Sequence, residues 1–265
     1  MSRGLGVALA CLPLVGCSSV DSFEADGTTV HRIAYPLTNA YVIESPRGDA
    51  IIVDPGPPGR GEMLLERCDR LGIERSEIHA IVLTHSHRDH AGAAPEVRAL
   101  TGAPILVHGL DAFELRVGSG GPVRPNGLLP GLARPFVTRP YEPFEPDELL
   151  GGESSLERFG IAGSILPTPG HTDGSVSIVL DNGYVLVGDL VAGALIEPTR
   201  MATAFFEGVS GDTGDRSASI AQLFDLDGTL WFPGHGGPLD PGAESSRVWF
   251  ERSVSEPAHF RPHGQ

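Results

Sequence analysis

Between Thr84 and Gly92 the chain reads THSHRDHAG, which places His85, His87, Asp89 and His90 within six consecutive positions. The apolar run Ala80-Ile81-Val82-Leu83 comes just before, so the cluster sits where a buried strand gives way to a loop. In extended chain alternate side chains point the same way. His85 and His87 can therefore share one metal ion, while the next turn brings Asp89 and His90 round to another. Four ligands in one loop exceed a single ion's usual share. Two divalent ions close together account for them, with His171, Asp189 and His235 as the remaining donors. The donors are nitrogen and oxygen only, which suits zinc, manganese or iron with no thiolate to require zinc, and zinc is taken as the first expectation.

The elements that must hold these donors alternate between strand and helix. AYVIES and DAIIVDPG read as strands separated by the turn-forming PRG, and GEMLLERCDRLGI follows as a helix, with Met63, Leu64, Cys68 and Leu71 at helical spacing. IHAIVLTH is a buried strand, HAGAAPEVRALTG a helix stopped by Gly102, and PILVH the next strand. IAGSILPTPGH, SVSIVLD and GYVLVGD are further strands. SASIAQLFDL is a helix, TLWFPGH a strand and PGAESSRVWFERSVS a closing helix. This pattern predicts a layered α/β domain. IVLTHSH, ILPTPGH and LWFPGH each run from apolar residues into a histidine, and YVLVGD delivers an aspartate. Ligands mounted at strand ends are held by a rigid sheet.

HSHRDH, the histidine of PTPGHTDGS, the aspartate of VGDL and the histidine of PGHGG, taken in that order, resemble the metallo-β-lactamase-fold hydrolases from about Thr38 to about Pro241. AIIVDPG is similar to the family's early strand that places an aspartate, here Asp54, behind the site. The resemblance implies a single-domain αββα sandwich. It implies a first metal on His85, His87 and His171, a second on Asp89, His90 and His235, and Asp189 bridging them, with Asp89, Asp189 and His235 as the catalytic set. Two divalent ions less the charges of Asp89 and Asp189 leave about two positive charges, enough to lower the pKa of a bridging water from ~16 towards neutrality. The expected activity is hydrolysis by that hydroxide of an ester, thioester, lactone or related bond in a small substrate. A bridging Asp189 resembles the glyoxalase II and lactonase-like branch, whereas β-lactamases of this fold use cysteine or no ligand there. The open alternatives are a mononuclear iron persulfide dioxygenase, a β-lactam hydrolase and a non-catalytic metal-binding lipoprotein.

With 265 residues, 40% of them hydrophobic, the chain can bury a full core. Its formal charge is −15 and all its basic residues are arginines that form no run, which excludes nucleic acid as a partner class. The first residues, MSRGLGVALACLPLVGCSS, have the layout of an export signal, and Leu14-Val15-Gly16-Cys17 resembles the lipobox of bacterial lipoproteins. This implies a signal peptide over 1–16, lipidation at Cys17, a polar tether over 17–30 and a domain over 31–265, exported and lipid-anchored at a bacterial membrane facing the periplasm or cell exterior. Cys68 then remains as a buried structural thiol. The Gly- and Pro-rich segment 109–152, with Phe113, Leu115, Leu128, Leu129, Leu132, Phe136, Tyr141 and Phe144, is expected to be a lid over the site. Arg200 or an arginine of that segment is expected to hold a substrate anion. His31 and His79 read as structural, and His108 as a candidate partner for a metal ligand.

Overall fold

In β4 (Ala50–Val53) the side chains of Ala50 and Ile52 enter one apolar cluster, and those of Ile51 and Val53 enter another. In β5 (Ile78–Val82) Ile81 joins the first cluster, and Ala80 and Val82 the second. Strands that are apolar on both faces must be covered on both. The computed structural model, which describes residues 19–121, 123–125, 138–194, 197–204, 206–208 and 213–255, shows what covers each.

β1 (Ser19–Ala25), β2 (Thr28–Ala34), β3 (Asn39–Glu44), β4, β5, β6 (Ile105–His108) and β8 (Glu148–Leu150) form a seven-stranded sheet in that order. It is antiparallel from β1 to β4 and parallel from β4 to β8. A five-stranded sheet runs in the order β16 (Leu230–Pro233), β12 (Tyr184–Gly188), β11 (Val176–Leu180), β10 (Gly163–Pro167), β9 (Ser154–Ser155). Val30, Ile51 and Val82 of the first sheet meet Ile165, Ile178 and Phe232 of the second in the central core. The outer face of the larger sheet packs on α1 (Gly61–Leu71), α3 (Ala94–Thr101) and α4 (Ala112–Val117) through Leu64, Cys68, Val97 and Leu115. The outer face of the smaller sheet presents Val185, Val187 and Trp231 to α5 (Thr213–Phe224) and α6 (Glu244–Ser255), where Phe224 and Phe250 stack at 4.3 Å. The layers are therefore α, β, β and α in a single domain, as the sequence resemblance implies. Gly102 ends α3 with φ 77°, a left-handed conformation that glycine adopts without steric cost.

Two expectations are corrected. The stretch read as a tether over 17–30 is, from Ser19, strand β1 paired to β2 over seven register positions. Val20 on one face packs onto the outer apolar cluster and Phe23 on the other face onto the central one, and that burial outweighs its polar composition. The expected lid is not one insertion either. Leu115, Tyr141 and Phe144 are core residues, and β8 is a strand of the main sheet. Gly and Pro density marks turns but does not prevent the short elements between them from packing. Leu128, Leu129, Leu132 and Phe136 lie outside the described residues, as do residues 1–16, read as an export signal, and Cys17. Cys68 is a buried free thiol, and burial pushes its pKa up to about 12.

Ile81 is fully buried at the centre of the larger sheet. Ile81→Ala is expected to lower stability by about 3 kcal/mol, through lost apolar burial and the cavity left behind. Equilibrium urea unfolding measures it.

Candidate metal centre

Every predicted donor leaves its strand at the same end of the sandwich. β5 leads into His85 and His87, and α2 (Arg88–Ala91), a single turn, carries Asp89 and His90. β10 leads to His171, β12 to Asp189 and β16 to His235. The two sheets are tied at this end, where Val176 N donates to Thr84 O at 2.9 Å.

The donors fall into two sets that meet at Asp189. His171 Nε2 lies 2.9 Å from His87 Nδ1, and His171 Nε2 and His85 Nε2 lie 3.6 and 4.0 Å from Asp189 Oδ2. On the other side, His90 Nε2 and His235 Nε2 each lie 3.7 Å from Asp89 Oδ2. Asp189 reaches this second set as well, at 3.5 Å from Oδ1 to His90 Nε2 and 3.0 Å from Oδ2 to His235 Nε2. Within each of the sets His85, His87, His171, Asp189 and Asp89, His90, His235, the donor atoms lie within 4.8 Å of one another, close enough to hold a metal ion. His85 Nε2, His90 Nε2 and Asp189 Oδ1 are buried with no hydrogen-bond partner among the described residues. Buried polar atoms are otherwise almost always paired, so this orphaned donor set fits a cation.

Asp54 aims two of these histidines. Its backbone has φ 50°, a conformation uncommon outside glycine, and its carboxylate accepts from Thr84 N at 2.8 Å and from Thr84 Oγ1 at 2.6 Å. The Thr84 hydroxyl has spent its proton on Asp54, so at 2.9 Å it accepts from His85 Nδ1–H. Asp54 Oδ2 accepts directly from His90 Nδ1 at 3.0 Å. Both rings are thus fixed with Nε2 facing the cluster. His235 Nδ1 donates to the Leu37 carbonyl, again turning Nε2 inward. Gly234 leaves room for the cluster, since a Cβ there would come within 2.2 Å of Asp189 Oδ1.

Charge balance shapes the protonation. Burial pushes His85 and His171 well below the usual histidine range, and burial also lowers His87. Burial opposes protonation of His90 as well, but Asp189 and Asp89 override it and raise His90 well above its ordinary value. His235 goes the same way, raised to about 9 against burial by Asp189. Burial would raise Asp189, yet His235 and His90 hold its carboxyl well below the usual carboxylate range.

Sequence reasoning named the donors and Asp54 but missed the residues that hold them. Asn39 Nδ2 donates to the carbonyls of Pro233 (3.0 Å) and Gly236 (2.8 Å), and Tyr41 Oη to that of Pro233 (2.6 Å), fixing the His235 loop. Asp111, at the start of α4, accepts from Ser86 N, Thr172 Oγ1 and Gly174 N. Tyr141 Oη donates to Ser86 O. Their side-chain types occur throughout ordinary turns and strands, and their partners are distant in sequence, so no local signal marks them. Arg200 lies on a loop whose backbone joins the His235 loop, where Gly237 N donates to Pro198 O at 2.7 Å. The Arg200 side chain is 64% exposed and meets Glu197 at 3.6 Å. His108 caps a turn by accepting from Leu110 N and does not approach a ligand, while His31 is satisfied by Ser22 and Glu44 and His79 pairs with Asp49.

A family model described as Metallo-beta-lactamase superfamily matches residues 36–235. The chain is 28% identical over 253 residues to the "Probable metallo-hydrolase YflN" of Bacillus subtilis, covering 86% of this chain and 91% of that protein. It is 35% identical over 214 residues to the "Uncharacterized protein Rv2581c" of Mycobacterium tuberculosis, covering 78% and 89%. Among solved structures, TTHA1623 in a di-iron-bound form superposes with a TM-score of 0.60 at 26% identity, covering 81% of this chain and 97% of that one. The BLEG-1 B3 metallo-beta-lactamase gives 0.58 at 28% identity, with coverages of 77% and 89%.

A metal entering the Asp89, His90, His235 set must displace the protons that His90 and His235 hold in its absence. Affinity for zinc at this set is therefore expected to rise with pH, by up to about tenfold per pH unit for each proton displaced, and to rise less steeply once His235 has lost its proton above about 9. Competition titrations against a chelating dye from acidic to alkaline pH measure the slope; a flat profile would show these histidines already neutral.

Proposed function

Because the chain belongs to the metallo-beta-lactamase superfamily, we propose that its histidine and aspartate cluster holds two divalent ions, zinc first among them, and that the protein hydrolyses a small substrate at an ester, thioester, lactone or related bond. The observation that carries this reading is the position of Asp189, whose carboxylate faces both donor sets at once. A protein that only sequestered metal would not need a carboxylate between two ions. Bound there, two divalent ions less the charges of Asp89 and Asp189 keep about two positive charges, which acidify water towards neutrality and polarise a carbonyl or phosphoryl oxygen.

The chain's own residues supply the rest. Asp189, kept ionised by His235 and His90, holds negative charge between the two sets. Asp54 and Thr84 accept from Nδ1 of His90 and His85, so that both rings turn Nε2 to the centre and offer lone pairs there once His90 has given up its second proton. Asp89, with its side chain 28% exposed against 6% for Asp189, is the open carboxylate of the set, and substrate approaches from its side. A carboxylate there could take the proton that the attacking water loses and hand it on to the leaving group. The di-iron form of a relative at 26% identity and the metallo-hydrolase name of another support a two-ion hydrolase, and the lactamase relative puts a β-lactam on the substrate panel.

Mass-spectrometric metal analysis of the purified protein tests this reading. Near two ions per chain are expected, with hydrolysis of an ester, thioester or lactone panel abolished by a chelator and restored by zinc or manganese. Asp189→Asn is expected to lower kcat at least about 100-fold and to reduce the metal content. A single iron per chain would instead favour persulfide oxidation.

We propose also that residues 1–16 direct export and that Cys17 carries a lipid anchor, in keeping with the Leu14-Val15-Gly16-Cys17 motif. Incorporation of labelled fatty acid is expected in the full chain and should vanish in Cys17→Ser.

A further inference from the structure

Asp111 is buried at 3% exposure, and the three groups it accepts from are all donors on ligand-bearing loops. Ser86 N, between His85 and His87, donates to Oδ2 at 2.8 Å. Thr172 Oγ1, next to His171, donates to the same oxygen at 2.9 Å, and Gly174 N donates to Oδ1 at 2.9 Å. The first loop leaves the seven-stranded sheet and the second leaves the five-stranded sheet, so one carboxylate spans the mouth of the sandwich. The other side of the Ser86 peptide is held too, since Tyr141 Oη donates to Ser86 O at 2.8 Å. The packing leaves little slack. A Cβ at Gly174 would come within 2.4 Å of Asp111 Oδ1, and one at Gly120 within 2.9 Å of His87 Cδ2.

We propose that Asp111 and Tyr141 are positioning residues that clamp the Ser86 peptide and the Thr172 loop, and so hold His87 Nδ1 and His171 Nε2 at the spacing one metal ion requires. The proposal rests on the reading of the cluster as a metal site. A carboxylate suits the role because all three neighbours donate. The hydrogen-bond chain is consistent throughout: Thr172 N donates to Ser175 Oγ at 2.9 Å, the Ser175 hydroxyl donates to Thr172 Oγ1 at 2.8 Å, and the Thr172 proton is left for Asp111. An amide at position 111 would turn an NH2 group towards one of these donors, leaving it opposed instead of bonded.

The test uses the full chain with Asp111→Asn and Tyr141→Phe. Zinc affinity is measured by dye competition, the visible spectrum by cobalt substitution, and the stability of the metal-free protein by urea unfolding. Asp111→Asn is expected to bind zinc about 10- to 100-fold more weakly. Tyr141→Phe, which removes one hydrogen bond, is expected to bind about fivefold more weakly. Both should shift the cobalt bands, which a merely structural role would leave in place. A folded Asp111→Asn with zinc affinity within about twofold of wild type and unchanged cobalt bands overturns the clamp. If Asp111→Asn does not fold, the same result for Tyr141→Phe overturns it. A wild-type chain that binds neither zinc nor cobalt overturns the metal reading, and the clamp with it.

Discussion

Taking a charge out of water costs several kcal/mol unless an opposite charge faces it, and at one end of this sandwich seven ionisable donors leave water together. They meet the cost in two ways. His85 and His171 give up their protons to burial, while His90 and His235 keep theirs beside Asp189 and Asp89. What remains is a cluster in which two protonated rings offset two carboxylates and several buried donor atoms have no partner among the described residues, so that metal cations would take the place of those protons. The rest of the structure holds that unfavourable arrangement in place.

The four layers do this by stiffness. Each donor emerges from a strand covered on both faces, so the strand ends cannot shift without disturbing packed apolar clusters. A second tier of polar residues then sets ring orientation. Asp54 acts on His90 directly and on His85 through Thr84, while Asn39 and Tyr41 hold the backbone of the His235 loop. Asp54 is one of two described non-glycine residues with positive φ. The strained backbone thus coincides with the residue that aims the ligands, a place where strain is commonly stored.

The donors themselves were legible in the sequence because histidine is scarce and HSHRDH is local. His171, Asp189 and His235 followed because each ends an apolar run. The main strands and helices were legible by period, down to Gly102 at the end of α3. The polar supports were not. Asp111 and Ser86 are 25 positions apart, and Tyr41 and Pro233 are 192 apart, so only the folded chain shows them as partners. β1 was hidden by its serines and acids, and its two large apolar residues, Val20 and Phe23, stand three apart on opposite faces and so show no period of two. Tyr141 and Phe144 were read as a surface cover because Gly and Pro dominate their surroundings, yet both belong to the core.

The division of the donors between the two sheets has a kinetic consequence. His87 and His171 are 84 positions apart and are mounted on different sheets, so their approach waits until both sheets have formed and docked. An ion that needs both cannot act as a nucleus for folding. An ion held by both would join after the sheets have docked and add to the barrier to leaving the native state, so its occupancy is expected to bear on how long the protein lasts once folded more than on how fast it forms.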